Sequence, residues 1–228
     1  MVSLDSLGIK YNTDKASKFT YNNQEYKGHD YLRQYEIFLK ELIKKEFTLV
    51  ELGCYRGSSL RMWKEYFKKV NVIGVDLNQN LSHALQAENI GYICSDATAE
   101  DLPEKILNLC KPDSIMCILD DCSHAWGDQR RSFEMLFPLV KSGGYYIIED
   151  LECGSIGAYP AYPPEVLDSQ PFYEYMHDRS KILRWGPDRY PEENSYHFDH
   201  LPENVQKIER EMDMCMFVPG AIIVRKKY

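Results

Sequence analysis

The sequence predicts an α/β fold, with helices packed on both faces of a mainly parallel sheet, and three observations carry that prediction. Short apolar runs of strand length recur: Phe47-Thr48-Leu49-Val50-Glu51, Asn71-Val72-Ile73-Gly74-Val75-Asp76, Gly91-Tyr92-Ile93-Cys94, Ile115-Met116-Cys117-Ile118-Leu119 and Tyr145-Tyr146-Ile147-Ile148. Helical spacing fills the stretches between them. An acid ends or follows each run: Glu51, Asp76, Asp96, the pair Asp120-Asp121 and the pair Glu149-Asp150. Because a helical crossover returns the next strand in the same direction, these acids should gather on one sheet edge, where open α/β folds bind ligands.

The 228 residues, 44% of them hydrophobic, suit one domain spanning 1–228 with ample material for a core. Within it we distinguish an N-terminal arm and helix (1–45), a cofactor- and metal-binding core (46–151), an insertion (152–204) and closing strands (205–228). There are 27 basic against 35 acidic residues, a formal charge of −8, which argues against nucleic acid as a partner. Met1-Val2-Ser3-Leu4-Asp5 lacks the basic and apolar regions of a signal peptide, and no apolar run approaches the roughly 18 residues of a membrane span, so the expectation is a cytoplasmic chain with no membrane partner. Seven cysteines without a C-x-x-C pair fit neither a disulfide framework nor a structural zinc site. Cys54 and Cys122 stand out because both fall in candidate ligand loops.

Taken in order, residues 4 to 28 are polar and turn-rich without a sustained period, and are read as an arm rather than a core element. His29 to Lys45 places Tyr31, Leu32, Tyr35, Phe38, Leu39 and Leu42 on one helical face. After the first strand the turn Leu52-Gly53-Cys54-Tyr55-Arg56-Gly57-Ser58-Ser59 opens a helix from Leu60 to Phe67. Such a turn lets backbone approach a ligand and aims free N–H groups at an anion. Its pattern, E-x-G-x-x-x-G, is weak alone; Asp76 at the end of the second strand strengthens it, being placed to bind ribose hydroxyls or to cap the next helix. A short helix is expected from Leu81 to Glu88. Asp96, after the third strand, is read either as a partner for an adenine amino group or as a solvent-facing cap, and Asp101 to Cys110 as helical.

Gln129 to Val140 carries Phe133, Leu136, Phe137 and Val140 at helical spacing, and Lys141-Ser142-Gly143-Gly144 stops it. Strand, helix and parallel strand then bring Asp121, Glu149 and Asp150 together. Three converging carboxylates repel one another without a cation, and all-oxygen donors suit Mg²⁺ better than Mn²⁺ or Ca²⁺. His124, three residues after Asp121, can share that pocket as a base. The competing reading has Asp121 or Ser123 capping the next helix and Glu149 and Asp150 ending a strand in solvent.

Beyond Asp150, residues 153 to 164 form a glycine- and proline-punctuated loop, and Glu165 to Leu183 suggests a helix with Phe172, Tyr173 and Met176 inward. Arg184 to Leu201, with Trp185, Tyr190, Tyr196, His197, Phe198 and His200, reads as a lid, a platform for stacking rings, or a dimer contact. His197 and His200 form only a weak metal motif. Val205 to Met214 and Met216 to Arg225 are expected to be two closing antiparallel strands, with Pro219 and Gly220 near the start of the second or at a bulge.

Asn12-Thr13-Asp14-Lys15, Gly28-His29-Asp30-Tyr31, the stretch Glu51 to Leu60, Asp120-Asp121-Cys122-Ser123-His124, Phe133 to Pro138 and Gly143 to Leu151 together resemble the macrolide sugar O-methyltransferases of the mycinamicin and tylosin type and their cephalosporin-hydroxylase-like relatives. The D-x-S-H and E-D elements, 28 residues apart, are more specific than the glycine turn. The resemblance implies a Rossmann-like class I S-adenosylmethionine-dependent methyltransferase sheet with a C-terminal antiparallel hairpin, an N-terminal arm and an inserted lid. It implies Mg²⁺ bound by Asp121, Glu149 and Asp150, with His124 as general base. It also implies S-adenosylmethionine surrounded by Glu51, Gly53, Asp76 and Asp96, with Tyr55, Gly57, Ser58 and Asp120 alongside. The activity implied is O-methylation of a sugar hydroxyl, in a glycosylated natural product or a polysaccharide precursor. A catechol-like acceptor and a non-catalytic cofactor-binding partner are the alternatives; a nicotinamide enzyme is disfavoured because the turn lacks G-x-G-x-x-G. The chain lacks the long N-terminal region of the macrolide enzymes, Cys122 replaces their small residue, and 152–204 aligns with nothing in them. The resemblance also implies that the N-terminal motif of Asp14-Lys15 and His29 lies near the cofactor or substrate, without assigning it chemistry, and a homo-oligomer stays open.

Overall fold

A computed structural model describes residues 2–153, 174, 176, 177 and 202–228. Its main sheet has seven strands in the order β5 (Gly91–Cys94), β4 (Val70–Asp76), β3 (Phe47–Leu52), β6 (Ile115–Asp120), β7 (Tyr145–Ile148), β9 (Ala221–Lys226) and β8 (Met212–Val218). The first five are parallel, and β9 runs antiparallel to both β7 and β8. β3 is buried along its whole length, as a strand covered on both faces must be, which is why its sequence is apolar without alternation. The order reverses between β3 and β6, which sets a crevice at their C-terminal ends.

Two cores lie on the two faces. One joins Phe47, Leu49, Leu119 and Ile147 to α1 (Leu4–Tyr11), α2 (Tyr31–Leu39), α3 (Ser58–Tyr66) and Leu85 of α4 (Ser82–Ala87). The other joins Val50, Leu52, Ile118 and Ile148 to α5 (Leu102–Leu107), α6 (Trp126–Leu136) and α7 (Glu203–Glu211). Among the described residues no helix is long and apolar enough to cross a membrane.

Two expectations require correction. Residues 4 to 28 are not a loose arm: Ser3 caps α1 by accepting the Ser6 N–H, Asn12 ends it in a left-handed conformation, and Leu4 and Leu7 enter the core. A hairpin of β1 (Lys18–Tyr21) and β2 (Gln24–Lys27) follows. The stretch expected as a strand over 205 to 214 is helix as far as Glu211 and joins β8 only from Met212, because Val205 and Ile208 sit at helical spacing and bury one side of α7. The closing hairpin is β8 and β9, with Pro219 and Gly220 in the turn between them. Ile208→Ala should therefore lower stability by about 2–4 kcal/mol. Lys207→Ala, on the exposed side, should leave it nearly unchanged in chemical denaturation. Of the helix expected over 165–183, only Glu174, Met176 and His177 are described; they are helical and Met176 is buried. The aromatic segment 184–201 and its two histidines lie outside the described residues.

Candidate active site

Three acids meet because they share one face of the sheet. Glu51, Asp121 and Glu149 each follow an inward residue of the first core, Leu49, Leu119 and Ile147, by two positions. The register sets Glu51 beside Leu119 and Leu119 beside Ile147. Pairing continues past the strand ends, since the Asp121 N–H donates to the Leu52 carbonyl and the Glu149 N–H to the Asp120 carbonyl, both at 2.9 Å.

The group aimed among these acids is Lys15, its side chain only 2% exposed. Its ammonium donates to Glu149 Oε2 at 2.6 Å and to Asp121 Oδ2, and stands 3.6 Å from Glu51 Oε1. Burial alone would lower its pKa, but the charges of Asp121, Glu149 and Glu51 more than reverse this and hold it well above its usual value. The backbone around Lys15 is equally constrained. Carbonyls of Asp14, Ala16 and Ser17 accept the N–H groups of His29, Asp30 and Gly28, while the Lys15 carbonyl accepts those of Tyr31 and Leu32 at the start of α2. Only glycine fits at position 28, where a Cβ would lie 1.9 Å from the Ala16 carbonyl oxygen.

α2 supplies the rest of the shell from one face. The Tyr35 hydroxyl donates to Glu149 Oε1 at 2.9 Å, and the Tyr31 hydroxyl to Asp150 Oδ1 at 2.7 Å. His29 Nδ1 is 2.9 Å from that same Asp150 oxygen. Burial opposes ionisation of Asp150, yet the hydrogen bonds of His29 and Tyr31 outweigh it and bring its pKa down to about 2. His124 Nε2 lies between Asp121 Oδ1 at 3.2 Å and Asp150 Oδ2 at 3.6 Å. Burial lowers the His124 pKa, but the hydrogen bond and charge of Asp121 and the charge of Asp150 bring the net shift upward. His124 and Asp150 both hold left-handed backbone, φ 58° and 55°, a strain that concentrates at functional positions.

Of Asp121, Glu149 and Asp150, expected to share one ion, the first two are bridged by Lys15, and His124 stands between Asp121 and Asp150. Among the described residues, the trio of histidine, cysteine and carboxylate donors whose ligand atoms all lie within 4.8 Å of one another is His124, Asp150 and Cys153. Asp120 also needs correction. Strand alternation turns it to the opposite face, where Ser132, Tyr146 and the Cys122 thiol donate to its buried carboxylate. The Cys54 and Cys122 thiols are pushed up by burial, so neither is a reactive thiolate.

Of the remaining predicted residues, Gly53, Asp76 and Asp96 line the adjoining crevice. A cavity of about 150 Å³ is bordered by Gly53, Asp76, Asp96, Thr98, Cys122 and Ser123 among others. Asp76 Oδ2 accepts the N–H groups of Cys54 and Tyr55, both at 2.9 Å, and so holds the glycine turn in place. Asp96 Oδ1 is engaged by Thr98 through backbone and hydroxyl, each at 2.7 Å. Tyr55, at the turn's crest, is 71% exposed, and Gly57 and Ser58 start α3. Trp63 Nε1 donates to Glu51 Oε2, while Glu51 Oε1 is buried without a hydrogen bond. Gly53 has φ 74°, and a Cβ there would lie 2.0 Å from the Asp121 carbonyl oxygen. Gly53→Ala should thus cost about 2–4 kcal/mol in denaturation, backbone strain and steric clash acting together. A larger cavity of about 960 Å³, bordered by Phe47, Asn71 and Lys111, lies at the opposite end of the strands, where Lys111 is already paired with Glu46.

The five parallel strands, the reversal at β3 and β6, and the antiparallel β9–β8 edge constitute the class I S-adenosylmethionine-dependent methyltransferase fold. The chain superimposes on the MycE methyltransferase of the mycinamycin biosynthetic pathway, solved with Mg, SAH and mycinamycin VI, with a TM-score of 0.74 and 22% identity over 99% of this chain and 54% of that one. In sequence it is 27% identical over 198 residues to the 8-demethyl-8-alpha-L-rhamnosyl tetracenomycin-C 2'-O-methyltransferase of Streptomyces olivaceus, covering 80% of this chain and 50% of the relative. It is 32% identical over 130 residues to the demethylmacrocin O-methyltransferase of Streptomyces fradiae, covering 54% and 32%. The chain thus spans half or less of these relatives' length. No protein-family model matches it.

Proposed function

We propose that this chain is an S-adenosylmethionine- and Mg²⁺-dependent O-methyltransferase acting on a sugar hydroxyl, in a glycosylated natural product or a polysaccharide precursor. The observation that carries the reading is an acid-rich strand edge, with His124 set between two carboxylates, beside a crevice floored by a glycine turn. Named relatives that methylate sugars support it, and none of the similarities reported above favours a catechol acceptor.

The residues fit both cofactors. Glu51 Oε1, a buried acceptor lacking a hydrogen bond, suits the ammonium at the amino-acid end of S-adenosylmethionine. Gly53 keeps side chains out of the crevice; Tyr55, Gly57, Ser58, Asp76 and Asp96 border the path of the nucleoside. For the metal, the lysine ammonium drawn among Asp121, Glu149 and Glu51 supports reading these oxygens as cation ligands. Asp121, Glu149 and Asp150 would hold Mg²⁺, a hard ion matched to carboxylates. When bound, the ion would lower the proton affinity of the acceptor hydroxyl and the sulfonium would supply the methyl group.

The neutral ring of His124 then accepts the hydroxyl proton, and the carboxylates of Asp121 and Asp150 beside Nε2 stabilise the resulting imidazolium. The glycine turn, fixed by Asp76, would hold the methyl donor beside the acceptor, so positioning would supply much of the remaining effect. No covalent bond to the chain is required. Incubation with S-adenosylmethionine, Mg²⁺ and a panel of rhamnosyl and other deoxysugar glycosides should give a mono-methylated product by mass spectrometry. Methylation of catechols but of no glycoside would overturn the acceptor assignment.

A further inference from the structure

The N-terminal motif containing Lys15 reaches the centre of the acid cluster, yet the mechanism above gives it no part. We propose that Lys15 is an internal counter-ion that occupies the acid cluster in the metal-free protein and gives up its carboxylates to the divalent ion on loading. The inference rests on reading the cluster as a metal site.

Its basis is geometric. Both Glu149 oxygens are engaged, Oε2 by Lys15 and Oε1 by the Tyr35 hydroxyl. Asp121 is shared, Oδ2 to Lys15 and Oδ1 to His124. While the ammonium remains 2.6 Å from Oε2, it competes with a divalent ion for that oxygen. The exchange is local, because Lys15 is held by its backbone carbonyl at the start of α2, leaving a flexible four-carbon side chain free to swing. In the absence of the methyl donor, Glu51 Oε1, 3.6 Å from the ammonium and lacking a hydrogen bond, offers it an acceptor close to its present place. A buried acid cluster is thus kept neutralised whether or not metal is present, which avoids the penalty of unpaired buried carboxylates.

Lys15→Met, of similar length but uncharged, separates this role from a purely structural one. Calorimetry with Mg²⁺ alone, without cofactor or acceptor, should show at least tenfold tighter binding to the variant than to the wild type, since the competing cation is gone. The metal-free variant should melt lower than wild type, and Mg²⁺ should restore most of the loss. Equal or weaker Mg²⁺ binding by the variant, with uptake intact in the wild type, would overturn this inference alone. No uptake by either protein would overturn the metal reading and this inference with it. Should the variant not fold, the wild type labelled with ¹⁵N-lysine supplies the test. A slowly exchanging ammonium signal from Lys15 should shift or vanish on titration with Mg²⁺, and a signal unchanged at saturation would overturn the exchange.

Discussion

Asp121→Asn is expected to lower turnover by about 10³-fold or more while leaving the affinity for S-adenosylmethionine within a few-fold of wild type. Asparagine keeps the shape of the side chain but removes the charge that faces Lys15 on one oxygen and His124 on the other. Stabilising charge at a developing alkoxide is worth several kcal/mol, and each 1.4 kcal/mol is about tenfold in rate. The cofactor crevice is lined by other groups, among them Gly53, Asp76 and Asp96, so its affinity should be spared. Steady-state kinetics paired with cofactor calorimetry reads both quantities. Loss of both in equal measure would show that Asp121 shapes the crevice rather than serving the reaction.

His124→Ala should lower turnover by about 10²–10⁴-fold, the usual contribution of a positioned general base. Mg²⁺ binding should persist, because the carboxylates assigned to it remain. The histidine is held at φ 58° with Nε2 between Asp121 and Asp150; alanine keeps the Cβ and so leaves the backbone strain in place, removing only the ring, and should not unfold the chain. Thermal melting checks that point, and kinetics with a saturating glycoside checks the rate. Unchanged turnover would remove His124 as the base and turn attention to His29, whose Nδ1 also contacts Asp150.

The five parallel strands were legible because strands covered on both faces must be apolar throughout, and turn residues bound each run. α7 was misread because Glu203–Glu211 is dense in charge and runs without a break into β8, so its two apolar positions, Val205 and Ile208, are too few to display a helical period. α1, of eight residues, is too short to display a period. In the site, period two on β3, β6 and β7 sets Glu51, Asp121 and Glu149 together on one face and Asp120 on the other; the pairing of Asp with Asp and Glu with Asp in sequence obscured that division. Lys15 could not be found by pattern. Its partners lie 106 and 134 positions away, and a single lysine in a polar stretch has no periodic signature. Tyr31 and Tyr35 were recognised as inward residues of a helix, but only the fold shows that their hydroxyls end on Asp150 and Glu149.

The position of the ion decides the matter most directly. Crystals grown with SAH and Mn²⁺ in place of Mg²⁺, measured for anomalous scattering, should place one peak roughly 2.1 Å from oxygens of Asp121, Glu149 and Asp150, with the Lys15 ammonium withdrawn. A peak on His124, Asp150 and Cys153 instead, or no peak with Lys15 still donating to Asp121 and Glu149, would contradict a strand edge built to carry a divalent ion beside the methyl donor.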